Sequence, residues 1–391
     1  MTLIDLARKV LHRQSQRHAT VFAHSRQEIL QFLKNLGDPH DDEERSFFQY
    51  LAQRSEHRFL FVLYNIASFP MYFIQKQKLQ RRHVDYRNSA AKCTPKTLVY
   101  YIYDVDRSLM PQSLNAKYPN HIYAEDEAPM LAPEDVELLA KIGKRRPFSF
   151  YYRLKVMMRL GINRTLIEKY NPLIIAQCGE YSFASSLCTH QLEQEERGHF
   201  NLLHGEKLLS LRDSYPRFTQ FYVWSEHYVE LFETLRCPKE QFVIECPPSL
   251  KPHDTHLPKT VDYTYYLANE TGPTLETVAR VMLDLSAKDK VIRLRPHPRY
   301  TERAELAALV PEEMIEPEGL PIETSLGRSR GAISLYSTVL NQAAALGLEI
   351  VLDDIKAPEL YQQLRDLGYA RIHEPHRRLS SLLEEVPEGR R

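Results

Sequence analysis

Short apolar, β-branched runs, each followed by a stretch of helical pattern, recur along this chain, and that rhythm commits it to a parallel α/β sheet. The runs include PLIIAQ (Pro172 to Gln177), FNLLHGE (Phe200 to Glu206), FTQFYVW (Phe218 to Trp224) and QFVIECP (Gln241 to Pro247). An earlier strand is expected at TLVYYIYDVD, Thr97 to Asp106, and a proline-dotted stretch then leads to a helix starting near Pro133. PPSLKPHDTHLPKT, Pro247 to Thr260, is rich in proline and polar residues without periodicity, as a linker is. A second series follows: VDYTYYLANE, a long helix over Thr274 to Ala287, then VIRLRPHP, GAISLY and LEIVLDD. Ahead of both series, Thr2 to about Asp85 reads as charged helices broken by GDPHDDEE at Gly37 to Glu44. The expected organisation is a helical N-terminal extension over 1–95 and two Rossmann-like domains, 96–250 and 258–391. No repeat of solenoid period is visible.

A chain of 391 residues with 43% hydrophobic content is long enough for two cores. Lys+Arg and Asp+Glu both number 51, so no global field draws the protein to nucleic acid, and charge recognition must be local. Cys93, Cys178, Cys188, Cys237 and Cys246 are odd in number and form no CxxC pair, which argues against a disulfide framework and a structural zinc site. The N-terminus lacks the apolar block and cleavage site of a signal peptide, so a cytoplasmic protein is expected. Phe59 to Ile74, FLFVLYNIASFPMYFI, is almost wholly apolar, is followed by the basic run QKQKLQRRH and carries Pro70, which would interrupt it. It is too short to span a bilayer and is expected as a buried helix. The alternative, a monotopic patch, would bring peripheral association with the inner membrane.

Two strand tips concentrate the chemistry. VIRLRPHPRY, Val291 to Tyr300, delivers Arg293, Arg295, His297 and Arg299 to its C-terminal end, where open α/β sheets bind ligands. In GAISLYSTVLNQAAALGLEIVL, Gly331 to Leu352, Ser337 and Thr338 stand at the start of a helix between two strands, a cradle for phosphate. Pro296-His297-Pro298 with that paired hydroxyl resembles the donor site of bacterial surface-polysaccharide glycosyltransferases of GT-B architecture, the sialyl-, polysialyl- and Kdo-transferases that use CMP-sugars. His204-Gly205 is similar to the HG motif of the CDP-glycerol polyol-phosphate transferases, so the chain resembles both groups over roughly Leu173 to Asp353.

The resemblance implies two Rossmann-like domains facing a cleft, a nucleotide-sugar donor as substrate, no resident cofactor or metal, and a glycan or glycolipid acceptor. His297 would donate to the leaving phosphate, Ser337 and Thr338 would hold its oxygens, and Arg295 and Arg299 would add charge. Glu316 and Glu318 in MIEPEGLP stand where such transferases hold base and ribose; a solvated acidic loop is the plainer reading.

On the acceptor side a general base is needed, and two residues compete. Glu180 lies just past a strand and is preferred; its plainer role is a first-turn helix acid. His204 stands in NLLHGEKLLSLRD with Glu206, Lys207, Arg212 and Asp213, the expected acceptor-binding group, although Arg212-Asp213 also reads as an exposed local pair. Glu206 departs from the small hydroxyl residue common after HG in the polyol-phosphate enzymes. Trp224 sits at another strand tip and reads as a core residue before an acceptor contact. Asp104-Val105-Asp106 has the DxD form that binds a divalent metal in GT-A enzymes, but nothing else follows that single-domain pattern, and it is read as a loop start.

Overall fold

The structure, a computed structural model, describes residues 22–89, 97–101, 107–124, 127–251 and 257–385. The chain divides into two compact units, the first running to Cys246 and the second from Pro247, with the short segment Gly205–Leu208 counted with the second. The expected DxD at Asp104 and Asp106 lies outside the described residues, as does Cys93.

The first unit is built on strands β1 (Leu98–Tyr101), β2 (Ile122–Ala124), β3 (Ile174–Gln177), β4 (Gly198–Leu202), β5 (Gln220–Val223) and β6 (Phe242–Ile244), all parallel, in the order β2-β1-β3-β4-β5-β6. Val99 pairs with Ile122 on one side and Ile175 on the other. The direction in which strands are added therefore reverses at β1, and a sheet of this kind offers a binding crevice beyond the carboxyl ends of β1 and β3.

Helices α1 (Arg26–Leu36), α2 (Asp42–Glu56) and α3 (Arg58–Ser89) precede the sheet, while α4 (Gln112–Lys117), α5 (Pro133–Arg145), α6 (Phe150–Tyr170), α7 (Ser185–Gln194) and α8 (Glu226–Thr234) lie between its strands. Helix α6 is buried all round from Leu160 to Ile167, so it is covered on two sides there. Tyr152, Val156 and Leu160 pack with Tyr50, Tyr72, Leu139 and Leu187, while Ile162 and Leu166 pack with Val99 and Ile175 of the sheet and Leu192 of α7. Gly161 is required there, because a Cβ would stand 2.9 Å from the Pro129 Cβ. Arg164 of α6 is clamped to Asp135 of α5 at 2.9 and 3.1 Å, and Gln191 of α7 donates to the same carboxylate at 2.7 Å. The pair is buried, and three helices share its charge-assisted bonds.

The helices expected as an N-terminal extension belong to this unit. Helix α2 opens on Asp41, whose carboxylate accepts from the Glu44 N–H at 2.8 Å, and its far half is bonded to the loops beyond the sheet. Ser46 donates to the Phe183 carbonyl at 2.6 Å, Gln49 to the Glu180 carbonyl at 2.8 Å, and Gln53 to the carbonyls of Tyr181 and Arg212 at 2.8 and 3.0 Å.

Helix α3 departs from expectation twice. It runs through Pro70 without ending, although proline there leaves the Ile66 carbonyl without its helical donor. Both residues are exposed, so water can take that place. Nor is the apolar segment wholly buried: Phe61, Ser68 and Tyr72 face the core while Phe59, Ile66 and Ile74 stand out from it.

The second unit repeats the architecture with β7 (Val261–Tyr266), β8 (Ile292–Arg295), β9 (Ser329–Ser334), β10 (Glu349–Leu352) and β11 (Arg377–Arg378), again parallel, in the order β11-β10-β9-β7-β8. Its first strand too has its second and third on opposite sides, which places the binding crevice beyond β7 and β9. The helices are α9 (Pro273–Ser286), α10 (Arg303–Ala307), α11 (Ile322–Arg328), α12 (Val339–Ala345), α13 (Pro358–Asp366), α14 (Ala370–His373) and α15 (Leu379–Glu384). Tyr265, Leu275, Met282, Leu294 and Ile333 form its core. Gly331 in β9 admits the Tyr263 ring, which a Cβ would meet at 2.6 Å. The α/β class and the two Rossmann-like halves expected from the sequence are both present.

Candidate functional site

In the first unit the chemistry collects at the tips of β3 and β4. Register sets it up: Gln177, the last residue of β3, pairs with Asn201 of β4, so the Asn201 side chain stands beside the turn that follows β3. Its oxygen accepts from the Gly179 N–H at 2.7 Å, and its nitrogen donates to Glu180 Oε2 at 3.1 Å. The other carboxylate oxygen, Oε1, lies 3.2 Å from His204 Nδ1, two residues past the end of β4.

The two expected candidates for the base are thus one couple. Glu180 is 0% exposed, whereas the His204 side chain is 38% exposed, so the histidine alone presents an atom to a substrate. The contact is not aligned as a hydrogen bond, and it is by charge that the buried carboxylate favours the neutral ring with its proton on Nδ1 and its lone pair on Nε2. Glu180, the expected group to meet the acceptor, is instead placed behind His204, with its carboxylate on the inner side of the ring.

Around this couple stand Tyr181, whose ring centroid is 6.0 Å from that of His204, and Arg212, whose guanidinium lies 5.9 Å over the Tyr181 ring. Arg212 bonds the carboxylate of Asp213 at 3.1 and 3.3 Å. Asp213 is buried, so this is not the exposed local pair that the sequence also allowed. Asp213 foremost, with Glu180 and Glu56 adding to it, raises the Arg212 pKa against the opposing cost of burial. Glu56, at the end of α2, was not picked out from the sequence. Burial pushes its carboxyl up to about 7, with Arg212 pulling it down and Asp213 pushing it further up.

Glu206 and Lys207, expected beside Arg212 and Asp213 in the first half, are placed with the second unit. The Glu206 carboxylate accepts from the Asn341 amide of α12, and its backbone carbonyl accepts from the Tyr336 hydroxyl at 3.4 Å. Lys207 is buried. Trp224, half-buried, spends its indole N–H on the Leu203 carbonyl at 3.2 Å.

In the second unit, His297 follows β8 and Ser337 follows β9, with β7 between them. Two strand spacings, about 10 Å, separate those strands, a gap that suits a phosphate with its attached groups. The backbone N–H of Arg299 donates to His297 Nδ1 at 3.1 Å, which puts the proton of the neutral ring on Nε2 and makes that atom a donor. The ring stacks on Tyr300 at 4.5 Å. Burial foremost, and then the Arg299 charge, lowers the His297 pKa, so the neutral donor form persists to lower pH than for a free histidine. Ser337 Oγ accepts from the Val339 N–H at 3.3 Å, while Thr338, exposed at the N-cap of α12, makes no side-chain capping bond. Glu270, beyond β7, is buried and paired with Lys356.

Arg295 and Glu316 take a role different from the one expected. Arg295 Nη1 bonds Glu316 Oε2 at 2.8 Å and Nη2 the Leu320 carbonyl at 2.7 Å. Glu316 Oε1 accepts from Ser325 at 2.6 Å, and the Glu316 backbone N–H donates to Leu294 at 2.9 Å. Together the two side chains tie the 316–325 loop to β8, with both Glu316 carboxylate oxygens engaged, while Arg295 keeps N–H donors beyond these two bonds. Glu316→Ala should therefore destabilise the protein by about 3 kcal/mol, the cost of stranding a largely buried guanidinium, in urea unfolding. Nucleotide affinity of the folded variant should stay near wild type.

No protein-family model matches the chain, and no curated protein matches it in sequence. Among solved structures it is similar to the wall teichoic acid polymerase TagF, at 10% identity over 84% of this chain and 88% of that one, with a TM-score of 0.44. It is also similar to the UDP-GlcNAc 2-epimerase of Methanocaldococcus jannaschii in complex with UDP-GlcNAc and UDP, at 11% identity, 76% and 96% coverage and a TM-score of 0.43. A third match is CalG4, the calicheamicin glycosyltransferase, at 12% identity, 75% and 91% coverage and a TM-score of 0.41.

Proposed function

We propose that the protein is a glycosyltransferase of the GT-B kind that moves a CMP-activated acidic sugar, sialic-acid-like or Kdo, onto a surface glycan or its lipid-linked precursor. The observation that carries this reading is the His204–Glu180 couple: a buried carboxylate stands 3.2 Å from Nδ1 of a partly exposed imidazole, whose Nε2 can take a hydroxyl proton. In the transfer the acceptor oxygen bonds to the anomeric carbon as the bond from that carbon to the phosphate oxygen breaks. His204 Nε2 takes the acceptor proton, and the phosphate leaves carrying the electron pair. Charge growing on the phosphate is met by the Nε2–H of His297 and by the hydroxyls of Ser337 and Thr338.

A second reading, phosphoryl transfer from a CDP-alcohol, is favoured by one feature: the catalytic histidine is followed by Gly205 at φ 67°, the left-handed turn of an HG motif. Incubation with CMP-sialic acid, CMP-Kdo and CDP-glycerol separates the two. Consumption of a CMP-sugar with acceptor-dependent release of CMP is expected; turnover of CDP-glycerol alone would assign the second reading, and turnover of none would refute both.

Ser337→Ala with Thr338→Ala should raise the Kd for CMP at least tenfold and change kcat at saturating donor much less, because these hydroxyls grip phosphate in ground and transition states alike. Calorimetric titration against wild type checks this, and an unchanged Kd would reduce the pair to a structural cap.

A further inference from the structure

Helix α3 carries an apolar stripe that the described residues of its own unit leave open. Phe59, Val62, Ile66, Phe69 and Phe73 are 45–77% exposed, and their spacing of threes and fours sets them along one side of the helix, with the exposed Ile74 at its end and the buried Phe61, Tyr72 and Leu79 on another side. The stripe is about 22 Å long by helical rise. Phe148, 82% exposed in the turn before α6, extends it sideways: its carbonyl accepts from the Asn65 amide of α3 at 2.8 Å, which seats that turn beside Ile66. An apolar face of this extent marks an interaction surface.

Its charge surroundings identify the partner. Between His57 and Val84 the chain has no aspartate or glutamate, while Arg58 stands at one end of the stripe and Lys76, Lys78 and Arg81 at the other. Arg58, Lys78 and Arg81 are exposed. A second copy of the chain fits this poorly. Antiparallel pairing about Ile66 would set Arg58 of one copy within about a turn of Lys76 and Lys78 of the other, parallel pairing would set each cation beside its own copy, and no carboxylate in the segment relieves either arrangement. Among the described residues no helix is long and apolar enough to cross a membrane.

We propose that this face docks on the surface of an anionic lipid bilayer, with α3 lying in the plane of the interface, its aromatic and aliphatic side chains among the acyl chains and its terminal cations on the headgroups. This goes beyond the reaction proposed above and holds whatever the site catalyses.

Co-sedimentation of the full chain with vesicles of phosphatidylglycerol and phosphatidylcholine tests it. Wild type should pellet with these vesicles, more weakly with phosphatidylcholine alone and more weakly in high salt. Ile66→Glu with Phe73→Glu, and separately Lys78→Glu with Arg81→Glu, should each cut partitioning at least tenfold. Lys78 and Arg81 leave the core, so their variant should keep the wild-type melting midpoint; Phe73 also touches Tyr72 and Phe150, so the Ile66→Glu, Phe73→Glu variant is assayed well below its own midpoint, and lost binding is not lost fold. Absence of wild-type binding to anionic vesicles, or equal binding by the Ile66→Glu, Phe73→Glu variant, overturns the proposal. So does a concentration-dependent dimer that the same variant splits without any vesicle binding, which would give the face to a second copy.

Discussion

His204→Ala is expected to lower kcat by a factor on the order of 10²–10⁴ while leaving the affinity for CMP within about twofold of wild type. The side chain is partly exposed and carries no core packing, so its loss removes the proton acceptor and little else. Glu180→Gln should fall in the same direction by a smaller factor. The amide keeps the volume of the buried site but withdraws the negative charge that faces the ring as it takes the acceptor proton, so His204 remains in place with less support for the transfer. The ordering separates this assignment from one in which the carboxylate itself takes the proton, since Glu180→Gln would then be the more damaging change. Steady-state rates at saturating donor, with CMP titrations of each variant, give both quantities.

His297→Ala should cost a factor of about 10²–10³ in kcat, the magnitude seen when a single positioned donor to developing charge is removed. The ring is half-buried and stacks on Tyr300 at the tip of β8, outside the packed core of the second unit, so the melting midpoint should hold. The Arg299 N–H on Nδ1 makes the sign of the effect specific: the neutral ring already has its proton on Nε2 and needs no protonation to donate. His297→Gln can present an amide N–H in a similar place and should recover part of the loss. A folded His297→Ala variant with full activity would remove the residue from the mechanism.

Much of the architecture is legible in local pattern because central parallel strands such as β3 leave apolar runs, while the edge strand β8 alternates apolar and polar residues. The runs at Pro172 to Gln177 and Val291 to Pro298 contain β3 and β8, the helix expected over 274–287 is α9, and Ser337 and Thr338 directly precede α12. What escaped depends on distance along the chain or on too little signal. β2, three residues in a proline-dotted stretch, has no periodicity to detect. Gln49 and Glu180 lie 131 residues apart, so nothing local announces that α2 braces the candidate base or brings Glu56 to Arg212. Arg295 and Glu316 look like ligand-binding groups until their mutual bond is seen. Glu206 and Lys207 lie within three residues of His204, yet Gly205–Leu208 is counted with the other unit. Proximity in sequence misassigns them. For α3, composition shows an apolar segment but not which side of it packs.

The central claim, that the second unit holds a cytidine nucleotide through the tips of β8 and β9, is tested most directly by thermal denaturation of the wild-type protein with CMP, CDP, UDP or GDP at equal concentrations. A ligand that binds only the folded state raises the apparent melting temperature by mass action, so the shift reports binding without need of the acceptor. CMP and CDP should raise it in a saturable way, with UDP and GDP giving little. No shift with any nucleotide, or a larger shift with GDP than with CMP, would contradict it.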